Sequence, residues 1–136
     1  MDDEAVQFLL NYALDHSISF ESVPGLKPDT PSFAITDKRF IVLNMNWHNK
    51  RELPFQVAHE IGHVLNNHPG VLYYSSPASN TKIEAEANST AVDLLIDYCK
   101  SIDLYHMDVY KFMDRFAIPN SVKTSVIDKL ENNIIY

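Results

Sequence analysis

The 136-residue sequence predicts an α+β fold: one mainly helical domain with a small antiparallel three-stranded sheet, organised around a buried helix near residue 60. Three observations lead there. Apolar residues recur at helical spacing over residues 3–15 and over most of the chain beyond Thr81. Residues 17–45 hold short stretches rich in β-branched and aromatic side chains, broken by Pro and Gly. The length gives room for one core and little for a second. The domain is therefore expected to span residues 1–136, with the sheet and central helices in 1–99 and a helical pair in 100–136.

Taken in order, residues 3–15 form an amphipathic helix with Val6, Leu9, Leu10, Ala13 and Leu14 on one stripe. Asp2, Asp3 and Glu4 stand at the end where negative charge is favoured. Ser17–Val23 alternates polar and apolar residues as a strand does, and Pro24-Gly25 and Pro28 mark the loop after it. Ser32–Thr36 and Arg39–Met45 read as a hairpin around Asp37-Lys38. Pro54, suited to a first helical turn, opens an uninterrupted run to Leu65 that Asn66-Asn67-His68-Pro69-Gly70 ends. Gly70–Asn80 reads as a loop rich in Tyr, Ser and Pro. Thr81 caps the next helix, with Glu84 completing a capping-box pattern, and that helix runs towards Tyr98. Two further helices follow at Tyr105–Phe116 and Val122–Asn132, joined by Ala117-Ile118-Pro119-Asn120.

Composition narrows the function. No apolar run approaches the ~20 residues that span a bilayer, so no membrane partner is expected. The net charge of −7 falls on residues 1–99, where six Lys and Arg face thirteen Asp and Glu; residues 100–136 carry five of each. No basic patch of the kind nucleic-acid binding needs is present. Cys99 is alone, which rules out a disulfide framework and a cysteine-based metal site. With an acidic start unlike a secretory leader, this points to a reducing cytoplasm.

The chemistry is carried by His59-Glu60-Ile61-Gly62-His63, an HExxH motif. Residues four apart lie on one helix face, so both imidazoles can share one metal ion. Glu60, beside the first histidine, can take a proton from a water that the metal activates. Apolar residues nearly surround this helix, which predicts burial with the histidines opening on a cleft. A lone buried histidine would be an ordinary core residue, but two at this spacing with Glu between them are not. Gly62 costs about 1 kcal/mol relative to Ala in a helix interior, which close approach of another backbone or of substrate would justify.

A catalytic zinc site usually has three protein ligands and an open position. The carboxylates on the next apolar helix are Glu84, Glu86, Asp93 and Asp97. Glu84 and Glu86 are about 200° apart round a helix, so only one can face the metal. Asn88, one turn beyond Glu84, is placed to hold the free ring N–H of a ligand histidine. That geometry favours Glu84 and leaves Glu86 towards solvent, although Glu84 is also the capping-box residue.

The His59–His63 motif, His68-Pro69 after it, and Glu84-Ala85-Glu86-Ala87-Asn88 followed by Ala91 and Leu94-Leu95 together resemble the ImmA/IrrE family of zinc metallopeptidases. Ser89-Thr90-Ala91 and Leu95-Ile96-Asp97 depart from the family's usual Phe-Ala and Met-Pro. A metzincin pattern would need Gly and His where Asn66 and Pro69 stand. The resemblance implies a zincin-like domain, zinc (Zn²⁺) as cofactor, and His59, His63 and Glu84 as ligands. It further implies cleavage of a cytoplasmic helix-turn-helix repressor, relieving repression of a phage or mobile element. The C-terminal pair resembles the family's helix-turn-helix-like end, but its neutral charge favours closure of the core over contact with DNA.

Glu60 is thus expected as general base. The oxyanion needs a donor besides the metal; Tyr73, Tyr74, His48, His68 and His106 are candidates, with His68 the first to test. Arg39–Met45 is the candidate edge strand for an extended substrate, with either neighbouring strand as the alternative. Two alternatives carry the same motif: a metal-binding antirepressor that sequesters the repressor without cutting it, and a toxin or structural protein with a vestigial site.

Overall fold

The structure, a computed structural model, describes residues 3–73 and 81–133. Helix α1 spans Asp3–Asp15 and buries Ala5, Val6, Leu9 and Ala13. Leu14, expected on the inner stripe, is 59% exposed. The chain turns back just beyond it, and Ile18 is the buried apolar residue at that end.

The sheet corrects the sequence expectation. It has four strands in the order β1-β3-β2-β4 and is mixed, rather than three-stranded and antiparallel. Strands β2 (Phe33–Ile35) and β3 (Phe40–Leu43) form the expected hairpin, with Phe33 opposite Val42. Strand β1 (Ser19–Ser22) lies parallel to β3 because the loop of residues 24–32 carries the chain back before β2 begins. Arg39 pins that arrangement: its guanidinium donates to the carbonyls of His16 and Ser17, and its own carbonyl accepts from Ser19. The buried Asn44 holds the loop by donating to the carbonyls of Lys27 and Thr30. Strand β4 (Val71–Tyr73) falls in the stretch read as loop; at three residues it is too short to show alternation and exists through its pairing with β2. Arg39–Met45 is consequently no edge. β3 lies between β1 and β2, and the outer strands are β1 and β4.

Helix α2 (Leu53–Leu65) sits at the centre, buried from Leu53 to Val64. It packs against the sheet, α1 and, along most of its length, α3 (Lys82–Ser101). Helix α4 is shorter than expected, Val109–Arg115, because Asp108 caps it by accepting from the Lys111 amide. A 3₁₀ turn at Asn120–Val122 leads into α5 (Lys123–Asn133). One apolar cluster runs from Ala5 of α1 to Leu130 of α5.

Four helices end alike. Ser17, Asn67, Asp103 and Ala117 take left-handed φ values of 60°, 55°, 62° and 49°. In each case that residue's amide bonds back three residues and the next amide bonds back five, the Schellman arrangement. The residue after the turn folds under the helix it leaves. It is Ile18 after α1, Leu104 after α3 and Ile118 after α4, all apolar; after α2 it is His68, which is 6% exposed.

Candidate metal centre

Helix α2 brings His59 and His63 together on one face, with their Nε2 atoms 3.1 Å apart. Helix α3 supplies the third group from its first turn. Thr81 caps that turn by accepting from the Glu84 amide, while the Glu84 carboxylate turns to the histidines. Its oxygens lie 2.7 Å from His59 Nε2 and 3.4 Å from His63 Nε2. All three groups are buried, and one ligand atom from each falls within 4.8 Å of the others. Tetrahedral coordination at usual zinc bond lengths sets ligand atoms about 3.3 Å apart. The three side chains fit a metal of that size. Glu86 points elsewhere, in keeping with the 200° separation of the two glutamates.

Gly62 makes this closeness possible. A Cβ there would stand 2.7 Å from the Ala87 carbonyl oxygen and 3.0 Å from its Cα. The neighbour that justifies this glycine is the backbone of α3.

Each histidine is held from behind. His59 Nδ1 lies 2.7 Å from Asn88 Oδ1, so its Nδ1–H donates and Nε2 is left for a ligand bond. His63 Nδ1 lies 2.9 Å from His68 Nδ1, and His68 Nε2 lies 3.2 Å from Glu86 Oε1. This changes the task expected of His68: both its ring nitrogens are engaged behind His63, so it is not free to donate to an oxyanion.

Glu60 is fully buried, and among the described residues neither carboxylate oxygen has a hydrogen-bond partner. Burial, and next the charge of Glu84, push its pKa well above the usual carboxylate range. Glu84 shifts the other way. Burial works to raise its pKa, but the hydrogen bonds and charge of His59 and His63 outweigh it and hold the carboxyl below the usual range. An unpartnered buried carboxyl costs free energy unless something polar occupies the space before it. That orphaned group beside a three-ligand cluster is what a hydrolytic metal site requires.

The remaining donor candidates are scattered. His48 is exposed, tied to the Pro28 carbonyl and tilted against Trp47. His106 follows the far end of α3, whose last residue, Ser101, lies about 25 Å along the helix from Glu84 at 1.5 Å per residue. Tyr74 and the side chain of Tyr73 lie outside the described residues. Two groups escaped the sequence reading. Glu86 occupies an exposed position, yet its carboxylate reaches His68. Gln56, one turn before Glu60, is buried with its amide unpartnered among the described residues. A polar residue within an otherwise apolar helical run was the available signal.

Among the described residues no helix is long and apolar enough to cross a membrane. No curated protein and no solved structure gives a match to this chain. A family model does: the peptidase M78 family, described as an IrrE N-terminal-like domain, matches residues 13–122. That span runs from the end of α1 to the turn before α5 and contains the whole cluster, and the chain belongs to this peptidase family.

Proposed function

We propose that the protein is a zinc-dependent metalloendopeptidase of the HExxH, gluzincin-like type. The observation that carries this reading is the convergence of His59, His63 and Glu84 beside a buried carboxylate, Glu60, that no other group among the described residues satisfies. His59, His63 and Glu84 would hold the ion. Zinc supplies Lewis acidity, lowering the pKa of water towards ~7 and polarising the scissile carbonyl. Glu60 accepts the proton of the attacking water and returns it to the leaving nitrogen.

The substrate we assign is a cytoplasmic helix-turn-helix repressor of a phage or mobile element, whose cleavage relieves repression. Family membership supports this, and so does a net charge of −7 meeting a basic DNA-binding partner. No direct contact with nucleic acid is part of the reading.

Incubating the protein with zinc and such a repressor tests it. Discrete fragments are expected, and Glu60→Gln should slow their appearance about 10²–10⁴-fold while leaving metal content unchanged. Glu84→Ala should abolish stoichiometric zinc; zinc kept by that variant and lost by Glu86→Ala would reverse the ligand assignment. A stable complex without fragments would make the protein an antirepressor that acts by sequestration.

A further inference from the structure

We propose that His68 and Glu86 are positioning residues that together fix the ring of His63 for metal binding, through a one-way chain of hydrogen bonds from His63 to His68 to Glu86. The inference rests on the metal-centre reading above and names residues that act through a ligand.

With a metal on His63 Nε2, the geometry allows one proton arrangement. If His63 binds through Nε2, which faces His59 and Glu84, its proton is on Nδ1 and points at His68 Nδ1, 2.9 Å away. A hydrogen bond at that distance requires His68 Nδ1 to be an acceptor, so the His68 proton sits on Nε2. There it meets Glu86 Oε1 at 3.2 Å. Were His68 to carry its proton on Nδ1, two N–H groups would face each other and Glu86 would face a lone pair. Glu86 therefore selects the tautomer of His68, and His68 selects that of His63.

The backbone supports the same assignment. In the turns that close α1, α3 and α4, the residue after the left-handed position is apolar, as expected for the contact under a helix end. After α2 the same position holds a histidine, 6% exposed, and its ring meets the ligand five residues earlier. An apolar side chain would have served the turn alone. The two ligand histidines are thereby backed differently: His59 by the neutral amide of Asn88, His63 by an imidazole ending on a carboxylate. A carboxylate at the end of such a chain raises ligand basicity.

The test measures Zn²⁺ affinity by competition with a chromophoric chelator, on the full chain and without substrate. His68→Ala should weaken binding about 10–100-fold. His68→Asn places an amide oxygen where Nδ1 stands, keeps an acceptor for His63, and should restore affinity to within a few-fold. Glu86→Ala should weaken binding in the native background and change nothing in the His68→Asn background, since the link between them is then cut. Nitrogen NMR of the zinc-loaded protein should show His68 protonated at Nε2. Native-like affinity in both His68→Ala and Glu86→Ala would overturn the proposal, as would a Glu86→Ala effect that persists beside His68→Asn. Failure of the underlying site looks different: no zinc bound by the unaltered protein, or zinc retained by His63→Ala.

Discussion

The seam between α2 and α3 and the closure by α4 and α5 bury side chains in opposite ways. In the C-terminal pair the interior is apolar: Phe112 and Phe116 meet edge to face at 5.2 Å, with Val122, Val126 and Leu130 around them. Such a core is held by burial and close packing, and every group in it is better off inside than out. In the seam, His59, Glu60, His63 and Glu84 are buried together. Three of them satisfy one another or a group behind, and one is left without a partner among the described residues. The lesson is that one region was selected to stay folded and the other to hold an arrangement that is incomplete by itself. Substitutions should separate these two kinds of burial.

The largest effect is expected in the apolar region. Phe116→Ala should cost about 3–5 kcal/mol, read in denaturant unfolding, while zinc affinity of the folded protein stays unchanged. If affinity fell in parallel, the two regions would not be separable. In the seam, zinc at a hundred times its Kd should add about 2.7 kcal/mol, seen as a rise in melting temperature. Glu84→Ala should lose that gain and Phe116→Ala should keep it.

Gly62→Ala lies between the two cases. In an isolated helix it would gain about 1 kcal/mol, but here the new Cβ meets the backbone of Ala87 at 2.7 Å. A net loss of about 1–3 kcal/mol is expected, together with weaker zinc binding as α3 and Glu84 are pushed away. A stabilised variant with normal affinity would show that the seam can open without consequence. The smallest effect is Thr81→Ala, about 1 kcal/mol for a lost helix cap, with a modest decline in affinity because the cap anchors the turn that bears Glu84.

What the sequence made legible was local. The 3.6-residue period defined α1, α2 and α3 to within a few residues, and the Asp37-Lys38 turn between β-branched runs defined the hairpin. Juxtaposition of His59 with His63 follows from helical spacing, and the angle between Glu84 and Glu86 follows from the same period. That Asn88 could back a ligand histidine was visible on those grounds too, though not that the histidine is His59. The parallel pairing of β1 with β3 was not, because it depends on Arg39 and Asn44 bonding to loop carbonyls far away in sequence. Strand β4 carries no periodic signal in three residues. Glu86 looked solvent-facing because its position is exposed; only the fold of the chain after α2 brings His68 within its reach. The partners of the His68 ring were not legible for the same reason: proximity in sequence to the motif does not show which groups a ring will meet.

The way α2 ends carries a consequence for motion. The last backbone bonds of that helix and the contact behind His63 belong to one clasp, since the amide of His68 closes the helix while its ring meets that of His63. Helix ends loosen more readily than whole domains unfold. Unclasping a single turn would therefore release the second imidazole to spin, and the grip on an ion could be slackened with the rest of the molecule intact.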